Sequence, residues 1–434
     1  MLPETFTFTP LKKRQIQADF SGGHITSDAG LLLLREIDRK SRLTERVANC
    51  LVDSRQTGKV KHELVDMIRQ RVYGIACGYE DLNDHDSLRS DLTFQTALNR
   101  LNPLASKATL GRMEQSIDRH TVVSAHQVMW QRFIDSYDQP PKRIVLDFDA
   151  TDIELHGNQQ GKFFNGYYDH YCYLPLYVFC GRHLLVSYLR PSNIDGAKHS
   201  WAITSLLVKF IRRHWPETQI ILRADSGFCR HRMLRWCDRH KVDYVVGLAR
   251  NSRLQQQAEK GFEVARQLHE LTGEKQSFCM PMAYAAHSWD KQRFVVAKIE
   301  VSDKGDNPRF IVTSLLEEKA TQLYRELYCA RGEMENRIKD QQLDLFADRT
   351  SSPRWWVNQW RMLLSGFAYM LFEDLRRLLQ GTELERVSIH TLRLKLLKLG
   401  AVVIRNTRKV RFLLSDAYPY KEIFAGLYKR LGFT

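Results

Sequence analysis

The amino-acid sequence predicts an α/β protein with one mixed sheet flanked by helices. Three observations lead there. Asp138-Gln139-Pro140-Pro141 ends whatever helix precedes it. Short apolar runs then follow in the order strand, strand, strand, helix, strand, helix, strand. Gly181-Arg182 between two of those runs is a hairpin signal, so antiparallel pairing coexists with strands connected through helices.

Residues 1–137 read as mostly helical. Thr26-Ser27-Asp28 is an N-cap cluster ahead of Leu31, Leu34 and Ile37, and Leu64, Met67, Ile68 and Ile75 recur at helical spacing. Shorter helices are expected over 86–98 and 109–117; the pattern suits a helix-turn-helix or a plain bundle. Beyond the prolines, 143–155, 173–180, 184–189, 219–224 and 242–249 read as strands, and 197–215 and 231–240 as helices. Residues 251–318 look like a β-rich insertion: a polar helical stretch over 254–271, then strand-like runs over 277–286, 293–301 and 309–315. Helices resume near 319. A basic hairpin over 402–414 turns at Asn406-Thr407.

The charge narrows the partners. Lys and Arg number 65 against 50 Asp and Glu, a net +15, which attracts polyanions and nucleic acid first among them. Eight cysteines are scattered with no CxxC pair, against a cysteine zinc site and in keeping with free thiols in a reducing cytoplasm. The first residues lack a signal-peptide pattern, and no run of 18 apolar residues predicts a membrane span. The stretch from Gly157 to Lys162 is no phosphate loop: three residues separate its glycines where four are needed, and Phe163 follows the lysine.

Acidic residues mark the chemistry. Asp147 and Asp149 lie two apart on the first predicted strand and therefore share a face. Asp225 closes the fourth strand. If those strands are neighbours, Asp149 and Asp225 meet at one sheet edge, where like charges repel and a divalent cation relieves the repulsion. Strand-end aspartates also cap turns, so the pair alone leaves both readings open. Tyr328, Arg331 and Glu335 fall at i, i+3 and i+7 on a predicted helix, with Lys339 at i+11. That face offers a metal ligand between cations, and a solvated charged face would look the same.

Taken together these residues resemble a family. Tyr328-x2-Arg331-x3-Glu335 is similar to the signature of bacterial insertion-sequence DDE transposases, and Asp149-Ala150-Thr151 and Asp225-Ser226-Gly227-Phe228 match its other two motifs. Phe164-Asn165-Gly166-Tyr167-Tyr168, 172–175, Asp348-Arg349-Thr350-Ser351 and the segment from Ser106 resemble the DDE-domain group 1 transposases over nearly the whole chain. One departure stands out: the signature continues to a lysine where this chain has Gln342, with Lys339 nearby.

The resemblance implies a ribonuclease-H-like catalytic core over 142–250, resumed at 319–380 after the insertion at 251–318. It implies an N-terminal helical DNA-binding region over 1–137 and a basic C-terminal DNA-binding or dimerisation region over 381–434. Asp149, Asp225 and Glu335 would hold two Mg²⁺ ions, with Mn²⁺ able to substitute and Asp147 as the alternative to Asp149. Tyr328, Arg331, Lys339, Trp289, Arg405, Arg408 and Lys409 would contact DNA, Trp289 either by stacking on a flipped base or by packing the insertion. Partners would be double-stranded DNA with terminal inverted repeats, target DNA and a second copy of the chain, in a bacterial, nucleoid-associated setting without membrane. A tyrosine-type recombinase and a non-catalytic DNA-binding regulator are the competing readings.

Overall fold

A computed structural model describes residues 5–433 and divides into two compact units. The larger comprises Asp118–Gln342 and Ala347–Gly366. It is built on a nine-stranded mixed sheet whose path runs Gln276–Tyr284, Arg293–Ser302, Arg309–Thr313, Asp243–Leu248, Gln219–Ala224, Arg143–Ala150, Leu176–Cys180, His183–Tyr188, with Gly305–Asp306 pairing off Arg293–Ser302. Gln219–Ala224 runs parallel to both of its neighbours, and all other pairs in the sheet are antiparallel.

Alternation along the central strand decides which face is which. Ile144, Leu146 and Phe148 point into a core shared with Leu207, Val208 and Ile211. Those three lie on the apolar stripe of helix Ser200–His214, which ends in Arg212, Arg213 and His214 just before Pro216. Val145 points the other way, against a second core of Ile221, Val245, Val296, Ile311, Leu323 and Tyr324. Asp147 and Asp149 share the parity of Val145 and so face the helical segment that begins near Leu323.

The strands of the presumed insertion extend this sheet. Arg309–Thr313 pairs with Asp243–Leu248, and buried Val295, Ala297 and Ile299 join the same core as the central strand. The helix Ser252–Thr272 starts at Asn251, whose side chain accepts from the Leu254 amide, and stops at Gly273, whose φ of 68° suits a left-handed cap.

The smaller unit comprises the residues up to Ile117, Leu343–Phe346 and Phe367–Thr434. Its helices include Leu31–Ser41, Leu64–Cys77 and Lys107–Gln115. Polar groups inside are paired: Asp38 accepts from the Tyr73 hydroxyl at 2.7 Å and the Thr44 amide at 3.0 Å, and Arg71 meets Glu114 at 2.9 Å. Ala401–Arg405 and Val410–Leu414 form the tail hairpin, and Ile25–Thr26 adds to it.

Two boundaries and one element differ from the sequence reading. Helix Arg119–Asp135 groups with the sheet unit, because Trp130 donates to the Leu185 carbonyl and Phe133 packs on Trp215. Residues 367–380 group with the smaller unit. The N-terminal stretch also contains an unforeseen exposed hairpin, Phe6–Leu11 with Arg14–Ala18. Among the described residues no helix is long and apolar enough to cross a membrane.

Candidate active site

Register brings the acidic residues together. Gln219–Ala224 pairs with Arg143–Ala150 so that Arg223 lies beside Asp147 and Ala224 beside Phe148. One step further along, Asp149 and Asp225 leave the carboxyl ends of these parallel neighbours side by side. On the other flank Ala224 pairs with Val246, which sets Gly247 beside Asp225. Two rows thus cross the strands: Asp147 and Arg223 inside the sheet, then Asp149, Asp225 and Gly247 at its rim.

The inner row is neutralised. Arg223 forks onto Asp147 at 2.5 and 2.8 Å, and its remaining nitrogen donates to the Leu327 carbonyl. Asp147 is buried, so this carboxylate is spoken for.

The rim row is not. Asp149 accepts from the Ala150 amide at 2.9 Å and meets Arg331 at 3.4 Å. Its side chain is only 15% exposed. Burial pushes its carboxyl up to about 6; Arg331 opposes this, while the nearby charges of Asp225 and Glu335 add to it. Asp225 caps the turn Ser226–Phe228 by accepting from the Gly227 amide at 2.8 Å. Gly247 permits this turn to lie close: a β-carbon there would stand 2.7 Å from the Ser226 nitrogen and 2.6 Å from the Tyr328 hydroxyl.

The third acid comes from an irregular helix. Leu323–Tyr328 winds as a π-helix, Cys329–Arg331 as a 3-10 turn, Gly332–Lys339 as an α-helix and Asp340–Asp344 again as a π-helix. Buried Met334 and Ile338 anchor the α-helical part, and Glu335 beside them is exposed. Arg331 donates to Glu335 at 3.1 Å while holding Asp149. These two contacts and the width of one guanidinium put the carboxylates within about 9 Å of each other. Burial would lower the Arg331 pKa, but Asp149, Tyr328, Asp225 and Glu335 outweigh it and hold the cation above its usual range. Tyr328 is half-buried, and burial pushes its hydroxyl up.

In this conformation Arg331 occupies the space between the acids. Among the described residues no three Asp, Glu, His or Cys side chains stand close enough to hold one metal ion together.

The other expected residues lie elsewhere. Lys339 is exposed at the end of its helix, and Gln342, where the signature has lysine, donates to the Asp152 carbonyl at 3.1 Å. Trp289 is half-buried, edge-on to Tyr284 at 5.5 Å, with Arg293 over its ring at 5.7 Å. Arg405, Arg408 and Lys409 are exposed on the tail hairpin, where Arg405 bonds Gln95 at 2.8 Å. Sequence reasoning missed Arg223 and Gly247. The signal for Arg223 was present: Arg223-x-Asp225 repeats the spacing of Asp147-x-Asp149, so two strands in register must pair a cation with the inner acid.

The family model for the transposase DDE domain, group 1, matches residues 8–433. The chain belongs to this family. It is a DNA transposase, a DDE-type nuclease and strand-transfer enzyme, and the family implies use of divalent metal ions. A recombinase working through a covalent tyrosine link is thereby disfavoured. Among solved structures, a cryo-electron-microscopy structure of a piggyBac transposase synaptic complex with hairpin DNA matches at 12% identity, covering 92% of this chain and 89% of that one with a TM-score of 0.37. No curated protein matches the chain.

Proposed function

We propose that Asp149, Asp225 and Glu335 are the catalytic metal ligands of this transposase, and that the enzyme cuts the ends of an insertion-sequence-type element and joins them to target DNA. The observation that carries this is the rim row: two acids side by side on parallel strands, the first of them met by an arginine that also holds the third acid. Such oxygen-only ligands suit Mg²⁺, with Mn²⁺ as a substitute. Asp147 is already neutralised by Arg223, which favours Asp149 as the first ligand. The run of three antiparallel strands followed by two parallel ones supports a ribonuclease-H-like core.

Two bound divalent ions would supply charge for the phosphodiester oxygens and an acidified water for hydrolysis. The protein's part is positional. Asp149 and Asp225 are fixed by the sheet. Glu335 reaches them by letting go of Arg331, which is then free to turn its guanidinium to a phosphate. Tyr328 places a hydroxyl beside the Asp225 turn, where it can orient the cut strand. After hydrolysis the released 3′ hydroxyl attacks target DNA at the same centre. Exposed Arg405, Arg408 and Lys409, with the helices of the smaller unit, grip element ends bearing inverted repeats, and two copies hold two ends. Lys339 reaches the backbone in place of the signature lysine. Trp289 packs the segment around Tyr284.

The test is nicking of a supercoiled plasmid carrying the sequences that flank the gene. Cleavage should need Mg²⁺ or Mn²⁺ and stop with chelator. Asp225→Ala should abolish it while DNA affinity stays within about twofold; loss of both together would make Asp225 structural.

A further inference from the structure

A β-hairpin beside the rim row exposes aromatic rings that the fold does not use. Phe163–Asn165 pairs with His170–Tyr173, Phe164 opposite Tyr171 and Asn165 opposite His170. Its inner residues, Cys172 and Tyr173, are buried. Its outer rings stand in solvent: Tyr167 is 87% exposed, Phe164 52%, Tyr171 50% and Phe163 42%. Water-facing rings this dense mark a recognition surface on a soluble protein.

The hairpin is rigid and tethered close to the catalytic acids. Asn165 accepts from the Tyr167 amide at 3.0 Å and donates to the Ser192 carbonyl at 2.9 Å, and Ser192 donates back to the Phe163 carbonyl at 2.9 Å. Ile153 and Glu154 pair with Tyr173 and Cys172, so the strand leaving Asp149 runs directly into this small sheet. Asp152 holds His170 at 2.8 Å. Asp152 lies three positions after Asp149, a span of at most about 11 Å. Tyr168, edge-on to Tyr167 at 4.9 Å, is half-buried and lies close enough to feel the charges of both Asp152 and Asp149.

Charge and reach identify the occupant. Lys162 places its amine 4.7 Å over the Tyr171 ring, which suits a polyanion carrying flat rings. Successive nucleotides of a strand advance about 3.4 Å, so rings this near Asp149 reach bases within a few steps of a phosphodiester held there. A base next to a recessed phosphate must leave the duplex stack, and exposed rings offer it a replacement stack.

We propose that the face of this hairpin bearing Phe164 and Tyr171, with Tyr167 at its turn, is a stacking platform for unpaired bases of the DNA end next to the cut bond. This rests on the reading that the acids of the rim row cut DNA there.

The experiment uses the full chain and two oligonucleotide duplexes carrying a candidate element end, one blunt and one with three unpaired nucleotides containing 2-aminopurine. The wild-type protein should bind the splayed end at least about tenfold more tightly and quench its fluorescence. Phe164→Ala/Tyr167→Ala should lose both preference and quenching, with unchanged melting temperature and blunt-duplex affinity, and Tyr167→Trp should keep the quenching. Absence of the preference in the wild-type protein, or its survival in the double variant, overturns the proposal. So does a shift of the DNA-free protein from dimer to monomer in the double variant, which would make the rings a contact between copies. Asp225→Ala should still quench; an Asp225→Ala protein that still cuts would overturn the catalytic assignment and leave the stacking result standing.

Discussion

Two rows of side chains cross the same strands one step apart and treat charge in opposite ways. In the inner row Arg223 neutralises Asp147 with a forked contact out of water. In the rim row Asp149 and Asp225 sit side by side, Asp149 meets Arg331, and that arginine is shared with Glu335. The inner row is a closed structural account. The rim row is a fold-enforced deficit of positive charge, and such deficits mark where a ligand completes the protein.

The largest expected effect separates the rows by chemistry. On the proposed assignment Asp149→Asn should reduce cleavage by about a thousandfold or more, since several kcal/mol of transition-state stabilisation would pass through a metal ligand. The next separates them by stability. Arg223→Ala strands a buried carboxylate and should destabilise the protein by about 3–5 kcal/mol in denaturant titration, with Asp147→Asn in the same chain restoring part of it. A loss below about 1 kcal/mol would mean the inner row is not the structural one.

A smaller effect runs the other way at the rim. The folded protein holds the Asp149 proton more tightly than the unfolded chain does, so its ionised form costs stability. That cost is absent below about pH 4 and fully present above pH 6, and amounts to about 3 kcal/mol. Asp149→Asn should therefore melt higher than the wild-type protein at pH 8 and lose the advantage by pH 4. Added Mg²⁺ should stabilise the wild-type protein at pH 8 and leave Asp149→Asn unmoved. The smallest effect sharpens the boundary of the rim row. Gly247→Ala forces a methyl against the Ser226 nitrogen and the Tyr328 hydroxyl, and should cost about 1–3 kcal/mol with a measurable fall in cleavage. Tyr328→Phe in that background relieves only the hydroxyl contact, so most of the loss should remain.

Much of this was legible beforehand because it is local. Alternation in 143–150 set the strand, its two faces and the shared side of Asp147 and Asp149. Gly181-Arg182 set a hairpin, and Asn406-Thr407 another. Pairing between distant segments was not legible: that Arg143–Ala150 neighbours Gln219–Ala224 depends on burying both faces of the sheet, which no local window records. The same holds for the segment after 251, whose strands looked like a separate body but bury Val295, Ala297 and Ile299 in the main core. The N-terminal hairpin had a signal, Phe6 and Phe8 alternating with threonines, that the neighbouring helical pattern outweighed. The helix from Tyr328 to Glu335 was foreseen as one regular face, yet its winding changes twice within that span.

That changing winding has a mechanical consequence. The α-helical segment bearing Glu335 follows a tighter 3-10 turn at Cys329–Arg331 and runs into a wider π-helical stretch at Asp340–Asp344. A change of winding shifts the direction of the side chains beyond it, so the coils on either side set where Glu335 points while buried Met334 and Ile338 hold its segment to the core. The sheet pins two acids, and the winding of the helix sets where the third points. On the proposed assignment, completing the cutting centre is then a matter of turning one side chain, Glu335, once a DNA strand draws Arg331 away.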